Sequence, residues 1–197
     1  RPKQPKVSAK IEGLIGCMLR QAVARGTFEA VHDLAIPIQS YALTYLLNVP
    51  ESEGEKWISW GIHVTRSGDG KAKGSQMEDY NRMMFARAKE APGEDFYSAL
   101  NRAEFDGRAL TEEEKEGFAF LAFAGGRDTI IHTMTGIIAY FAKNPEDMDY
   151  LREHPEAVNT AAEEFFRLAI PLTHIGRVCP AKTDVQRFRV EAGGRIS

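Results

Sequence analysis

Cysteine is scarce in this chain, with Cys17 and Cys179 the only two. Two cysteines cannot build a disulfide scaffold or a four-cysteine metal site, and such sparing use suits a reducing, cytoplasmic setting. The histidines are His32, His63, His132, His154 and His174, and no two stand at the one-turn spacing that grips a metal ion on a helix. No metal ligand set is therefore assigned. An excess of positive charge is also missing. The formal net charge is −3, whereas a nucleic-acid binder usually carries a basic face. The basic stretch Arg1 to Lys10 is short and reads as a solvated end. No signal peptide is visible in these residues, and neither is a Walker-type phosphate loop. Gly68 and Gly70 share a polar loop, without the strand-to-helix context of a dinucleotide site.

What is present is ordinary globular composition, 43% hydrophobic and 27% charged, which excludes disorder for the chain as a whole. The 197 residues suffice for one domain or a piece of a larger one. The chain opens on Arg1-Pro2 and stops at Ser197, just after a turn at Ala192-Gly193-Gly194-Arg195, so both ends read as cuts. Apolar periodicity predicts helices over 8–25, 33–47, 51–64 and 76–90, with a loop at 67–74 and a short helix ending near Ala103. Thr111 and Glu114 form a capping-box signature. From there one helix is predicted to Lys143, about 32 residues and about 48 Å long. Its middle is apolar on every side, with Phe118, Phe120, Leu121, Phe123, Ile130 and Ile131, so it should be buried. Arg127, Asp128 and His132 at its centre argue against a membrane span. Asn144-Pro145 and His154-Pro155-Glu156 start two further helices, the second reaching Leu168. Leu172–Val178 and Val185–Val190 read as two strands across a Pro180–Asp184 connection. The fold class is mainly α with a small late sheet, in a single incomplete domain over 1–197.

Three constellations carry chemistry. The first is Gly125-Gly126-Arg127-Asp128-Thr129, at the centre of the long helix. Two interior glycines cost about 1 kcal/mol each relative to alanine, so something must need the space. Close approach of a planar ligand is one answer. An acid and an alcohol beside it can relay protons. A plain helix crossing, with Asp128 paired to Arg127, is the structural alternative. The second is Glu164 and Arg167, three apart on one helical face and able to pair, with partial burial expected from Phe165 and Phe166. The third is Arg177, a strand arginine able to hold a carboxylate. Taken singly, the second and third read as ordinary structural residues.

Their order and spacing resemble one family. Gly-Gly-x-Asp-Thr lies in a long helix. Glu-x-x-Arg follows about 35 residues later and a strand arginine about ten beyond that. This pattern is similar to that of the cytochrome P450 haem-thiolate monooxygenases, and the Pro-containing helix junctions resemble the family too. The resemblance implies a partial cytochrome P450 fold with a long central helix and a late β-hairpin. It implies haem b as cofactor, with Gly125 and Gly126 forming the groove where dioxygen sits. Thr129 would hydrogen-bond the activated oxygen and Asp128 would help deliver protons. Leu121, Ala124, Thr173 and Ile175 would line the substrate pocket. Arg177 would pair with a haem propionate, and Glu164 with Arg167 would hold the structure near the other haem face.

Cys17 and Cys179 lack the surroundings of the family's axial cysteine, Phe-x-x-Gly-x-x-x-Cys-x-Gly. The iron ligand is thus expected outside this chain, and the chain alone should neither hold haem tightly nor turn over. The implied reaction inserts one oxygen atom from O2 into a small apolar organic substrate. Electrons would come from a ferredoxin-type donor, since no flavin or nicotinamide motif is present. A non-catalytic helical binder of a small apolar ligand, and an interaction domain with no ligand, are the alternatives from the residues alone.

Overall fold

The computed structural model describes residues 5–60, 75–172 and 175–196. Helix α1 spans Pro5–Arg25, and Gly26 at φ 79° ends it. A π-helical turn, Ala30–Ala35, runs straight into α2, Ile36–Leu47. Glu29 caps the turn by accepting from the His32 backbone N–H. Pro37 sits in the first turn of α2, where its missing N–H costs nothing. Asn48 closes α2 in the left-handed conformation (φ 55°), one asparagine tolerates. Then come α3 (Ser52–Ser59), α4 (Ser75–Glu90) and α5 (Phe96–Asn101). The 67–74 loop and the end of the predicted 51–64 helix lie outside the described residues.

A hairpin follows that the pattern of the sequence did not suggest: β1 (Glu104–Phe105) pairs antiparallel with β2 (Arg108–Ala109). Asp106 and Gly107 form its turn at φ 50° and 75°, as a two-residue Asp-Gly hairpin requires. Next is α6, Glu112–Gly126, with the capping box formed as expected: Glu114 N–H donates to Thr111 Oγ1, and Thr111 N–H donates to the Glu114 carboxylate.

The long helix is not continuous. It breaks at Arg127 (φ −115°, ψ −80°), and α7 begins afresh at Asp128 and runs to Lys143. Nor is it buried on all sides. Lys115, Ala119, Phe123 and Arg127 are buried, whereas Phe118, Phe120, Leu121 and Ile130 are exposed. The buried stripe meets α4 and α5, while the α7 segment packs on the π turn, α2 and α9.

The chain continues through α8 (Pro145–Glu153), a 3-10 turn (Pro155–Ala157) and α9 (Val158–Ala169). Its late strands differ from expectation. Thr183–Val185 (β4) pairs with Phe188–Val190 (β5), and Arg177–Val178 (β3) pairs with Arg195–Ile196 (β6). Part of the predicted connection is therefore a strand, and part of the predicted second strand is a turn at Gln186 (φ 54°). The late hairpin exists, mainly within the second predicted strand and the connection before it.

The core is aromatic. Trp57, Tyr80, Phe85, Tyr97 and Phe123 are each at most 5% exposed. Trp57 meets Phe123 edge-on at 5.0 Å, and Phe85 meets Tyr97 in the same way at 5.0 Å. Edge-to-face contacts put a ring's positive edge on its neighbour's negative face, worth about 1 kcal/mol beyond burial. A smaller cluster of Ala35, Ile36 and Ile131 fixes the start of α7 to the π turn and α2.

Candidate functional site

The site grows from the break at Arg127. A helix that stops at Gly126 leaves carbonyl groups without a helical partner. One is satisfied from far along the chain, where Gln39 Nε2 donates to Gly126 O at 2.8 Å. The Arg127 side chain turns inward and is 1% exposed. One terminal nitrogen donates to Trp57 O at 2.7 Å. The other donates to Ser40 Oγ at 3.3 Å and Gln39 Oε1 at 3.4 Å. Burial pushes the guanidinium down to about 10, against the opposite pull of the Asp128 carboxylate. It stays charged at neutral pH, held by oxygens of α2 and α3.

The opposite side of the junction is open. Leu121 is 65% exposed, and a Cβ added to Gly125 would meet nothing within 4 Å. At Gly126 the added carbon would touch Leu43 Cδ1 at 3.6 Å, so this second glycine faces the protein. Thr129, in the first turn of α7, donates from Oγ1 back across the break to Gly125 O at 2.7 Å. Thr133 repeats the pattern one turn on, to Thr129 O at 2.8 Å. Ala124 and Asp128 are half-buried beside them. Leu121 also borders a cleft of about 330 Å³ with Phe105, Leu110 and Phe118.

Leu121, Ala124, Gly125, Gly126, Asp128 and Thr129 therefore share one junction. The other expected residues lie apart. On α9, Glu164 accepts from Arg167 Nε at 2.8 Å, and that hydrogen bond holds the carboxyl below its ordinary range. Both side chains are well exposed, at 60% and 69%, which corrects the expected partial burial. Of the two phenylalanines expected to cover the pair, Phe165 is half-buried and Phe166 is about half exposed. Helix α9 rests on α7 where Gly136 admits Ala169, an added Cβ lying 3.5 Å from the Ala169 Cβ. Ile175 is exposed, and Arg177 on β3 donates to Gly176 O at 3.0 Å. Among the described residues no hydrogen bond or ion pair ties these two to the α6–α7 junction. Thr173 lies outside the described residues.

Sequence reasoning missed Gln39, Ser40 and the inward course of Arg127. An arginine inside an apolar helix is a signal, but the only partner it suggested was Asp128, in the structural alternative, and that carboxylate does act on it. Gln39 and Ser40 gave no signal, because their partners are 87 and 88 residues away.

Comparison with known proteins places the fold. No family model matches the chain. A solved structure described as a carbohydrate active P450 superposes with a TM-score of 0.87 at 42% identity, over 99% of this chain and 50% of that one. The chain is a fragment of the cytochrome P450 fold. Among curated relatives, a probable cytochrome P450 127A1 of Sinorhizobium fredii is 25% identical over 98% of the chain and 46% of that protein. A steroid C26-monooxygenase of Mycobacterium tuberculosis is 25% identical over 89% of the chain and 42% of that protein. The chain spans about half the length of these cytochrome P450 relatives.

Proposed function

We propose that this chain forms the oxygen-handling side of a haem-dependent monooxygenase. In this reading the protein puts one atom of O2 into a small organic substrate and reduces the other to water, with electrons from a ferredoxin-type donor. The observation that carries it is the open face at Gly125. Backbone is bare there, nothing lies within 4 Å of where a side chain would begin, and a hydroxyl and a carboxylate follow at once. Flat, uncovered backbone next to proton-carrying groups fits a planar cofactor. Haem b, when bound, supplies the iron that activates dioxygen.

The chain's own residues do the rest. Gly125 makes the flat wall, Gly126 packs behind it against Leu43, and Arg177 offers its guanidinium to a propionate. Thr129 holds a proton at Oγ1, which in this structure rests on Gly125 O. Rotation about χ1 turns that donor toward the open face. Asp128, half-buried at the start of α7, passes protons between solvent and that hydroxyl. Leu121, Ala124, Thr173 and Ile175 present the substrate wall, and Glu164 with Arg167 steadies α9. The axial cysteine belongs to chain outside these 197 residues, so the stretch alone is inactive. A cytoplasmic setting fits this reading. Among the described residues no helix is long and apolar enough to cross a membrane.

Two substrate classes are in view. Exposed Leu121 and the apolar cleft beside it favour a small apolar molecule. The 42% identity to a structure described as carbohydrate active favours a sugar. Haem titration of a chain extended past Ser197 tests the function. A Soret band that shifts with added substrate supports it, and no specific haem binding overturns it. Apolar compounds and simple sugars compared in that assay decide the class.

A further inference from the structure

We infer that Arg127, locked to Gln39 and Trp57, is a positioning residue that sets how Asp128 and Thr129 face the reaction site. The inference rests on the haem monooxygenase reading above.

Asp128 and Thr129 are the first two residues of α7, so their direction depends on how α7 leaves α6. That departure is fixed at one residue, whose backbone leaves the helical region at φ −115° and ψ −80°. A short local distortion of this kind persists only when its surroundings over-determine it. Here they do so from both sides. Gln39 Nε2 takes up the Gly126 carbonyl that the break releases. The Arg127 fork reaches in the same direction to Trp57 O, Ser40 Oγ and Gln39 Oε1. Gln39 thus serves both, donating to the backbone before the break and accepting from the side chain at it. All four residues, Gln39, Ser40, Trp57 and Arg127, are at most 1% exposed.

Across the break, the Arg127 carbonyl accepts from the N–H groups of both Ile130 and Ile131 at 3.1 Å, so it anchors the first turn of α7. Thr129 Oγ1 then bonds to Gly125 O, on the far side of the break. The distance and angle of that contact are set by the backbone at Gly126 and Arg127. Without the lock, α6 and α7 are free to run on as one regular helix. Asp128 and Thr129 would then rotate relative to Gly125. Lysine is no substitute, since a single ammonium cannot span Trp57 O and the Gln39–Ser40 pair as a planar fork does.

The test uses the haem-loaded, full-length protein that carries this chain, with its electron donor and a substrate that shifts its Soret band. Arg127→Leu, Arg127→Lys and Gln39→Met are compared with wild type at equal haem content. Product per electron pair, peroxide formed and the substrate Kd from the Soret shift are read together. Positioning predicts that product per electron pair falls at least threefold in Arg127→Leu and Gln39→Met, with peroxide rising to match. Arg127→Lys should recover only part of the loss, and substrate Kd should move less than twofold. Gln39→Met keeps the arginine and carries the test if Arg127→Leu fails to load haem. Unchanged coupling in Gln39→Met, or a loss that follows haem content alone, overturns the positioning role. A wild-type protein that makes no oxygen-dependent product overturns the monooxygenase reading itself, and the inference with it.

Discussion

Thr129 and Gly125 are joined across a broken helix: the threonine hydroxyl donates to the glycine carbonyl at 2.7 Å, with Arg127 between them out of helical geometry. The same two residues thus give the site a proton-bearing group and the bare backbone it lies against.

Thr129→Ala removes the hydroxyl and leaves the helix intact, because Thr133 still bonds to the backbone oxygen of residue 129. In the haem-loaded protein, electron consumption should continue while product falls and peroxide rises. Oxygen-electrode and peroxide assays read this directly. Unchanged coupling would remove Thr129 from its role.

Gly125→Leu should separate folding from ligand binding. A side chain at 125 enters empty space, and replacing a helical glycine gains up to about 1 kcal/mol. The melting temperature should hold or rise slightly. Carbon monoxide or haem binding should weaken at least about tenfold, equivalent to 1.4 kcal/mol, because the flat wall is filled. A variant that binds both as wild type does would show that the open face is not the ligand face.

Phe123→Ala should be among the most damaging single changes. Phe123 is 1% exposed and contacts Trp57, Trp60 and Tyr80. Truncating a buried phenylalanine costs about 3–5 kcal/mol. Urea denaturation of both proteins measures it, and a loss below about 1 kcal/mol would contradict this core assignment.

The start of α6 should be acid-resistant. The Arg108 guanidinium beside it, with the Thr111 backbone N–H, holds the Glu114 carboxyl down to about 2. In an unfolded chain a glutamate titrates near ~4.3. Because the folded value is the lower one, the stabilisation is fully present above ~4.3 and is lost as pH falls toward about 2. Carboxyl NMR of Glu114 checks this, and Arg108→Ala should move its titration upward. An ordinary value in the wild type would contradict the pairing.

Local chemistry was legible where it acts over a few residues. The Thr111–Glu114 capping box, the Asn144-Pro145 helix start and the Glu164–Arg167 pair are each written within four positions. The Asp106-Gly107 hairpin was equally local, but its strands of two residues carry no alternating pattern to notice. The β4–β5 turn hid for another reason, since Gln186 occupies a positive-φ position where glycine or asparagine is the usual signal. The break at Arg127 was not legible at all. Its cause is a set of hydrogen bonds to residues 70 to 88 positions away, and an unbroken apolar helix is what the neighbouring residues spell. From the residues alone the open face was hidden as well, and only the resemblance implied a groove at Gly125. Phe118 and Leu121 read as core because they are apolar, yet α6 buries only the stripe through Ala119 and Phe123.

Haem is proposed to lie against the α6–α7 junction. Haem titration of a chain extended past Ser197, wild type against Gly125→Leu, tests it most directly at the Soret band and in the reduced carbonyl complex. One-to-one binding with a thiolate-type carbonyl complex is expected in wild type, and clear weakening in Gly125→Leu. A wild-type chain that binds no haem specifically, or a Gly125→Leu chain that binds haem and carbon monoxide as tightly as wild type, would contradict it.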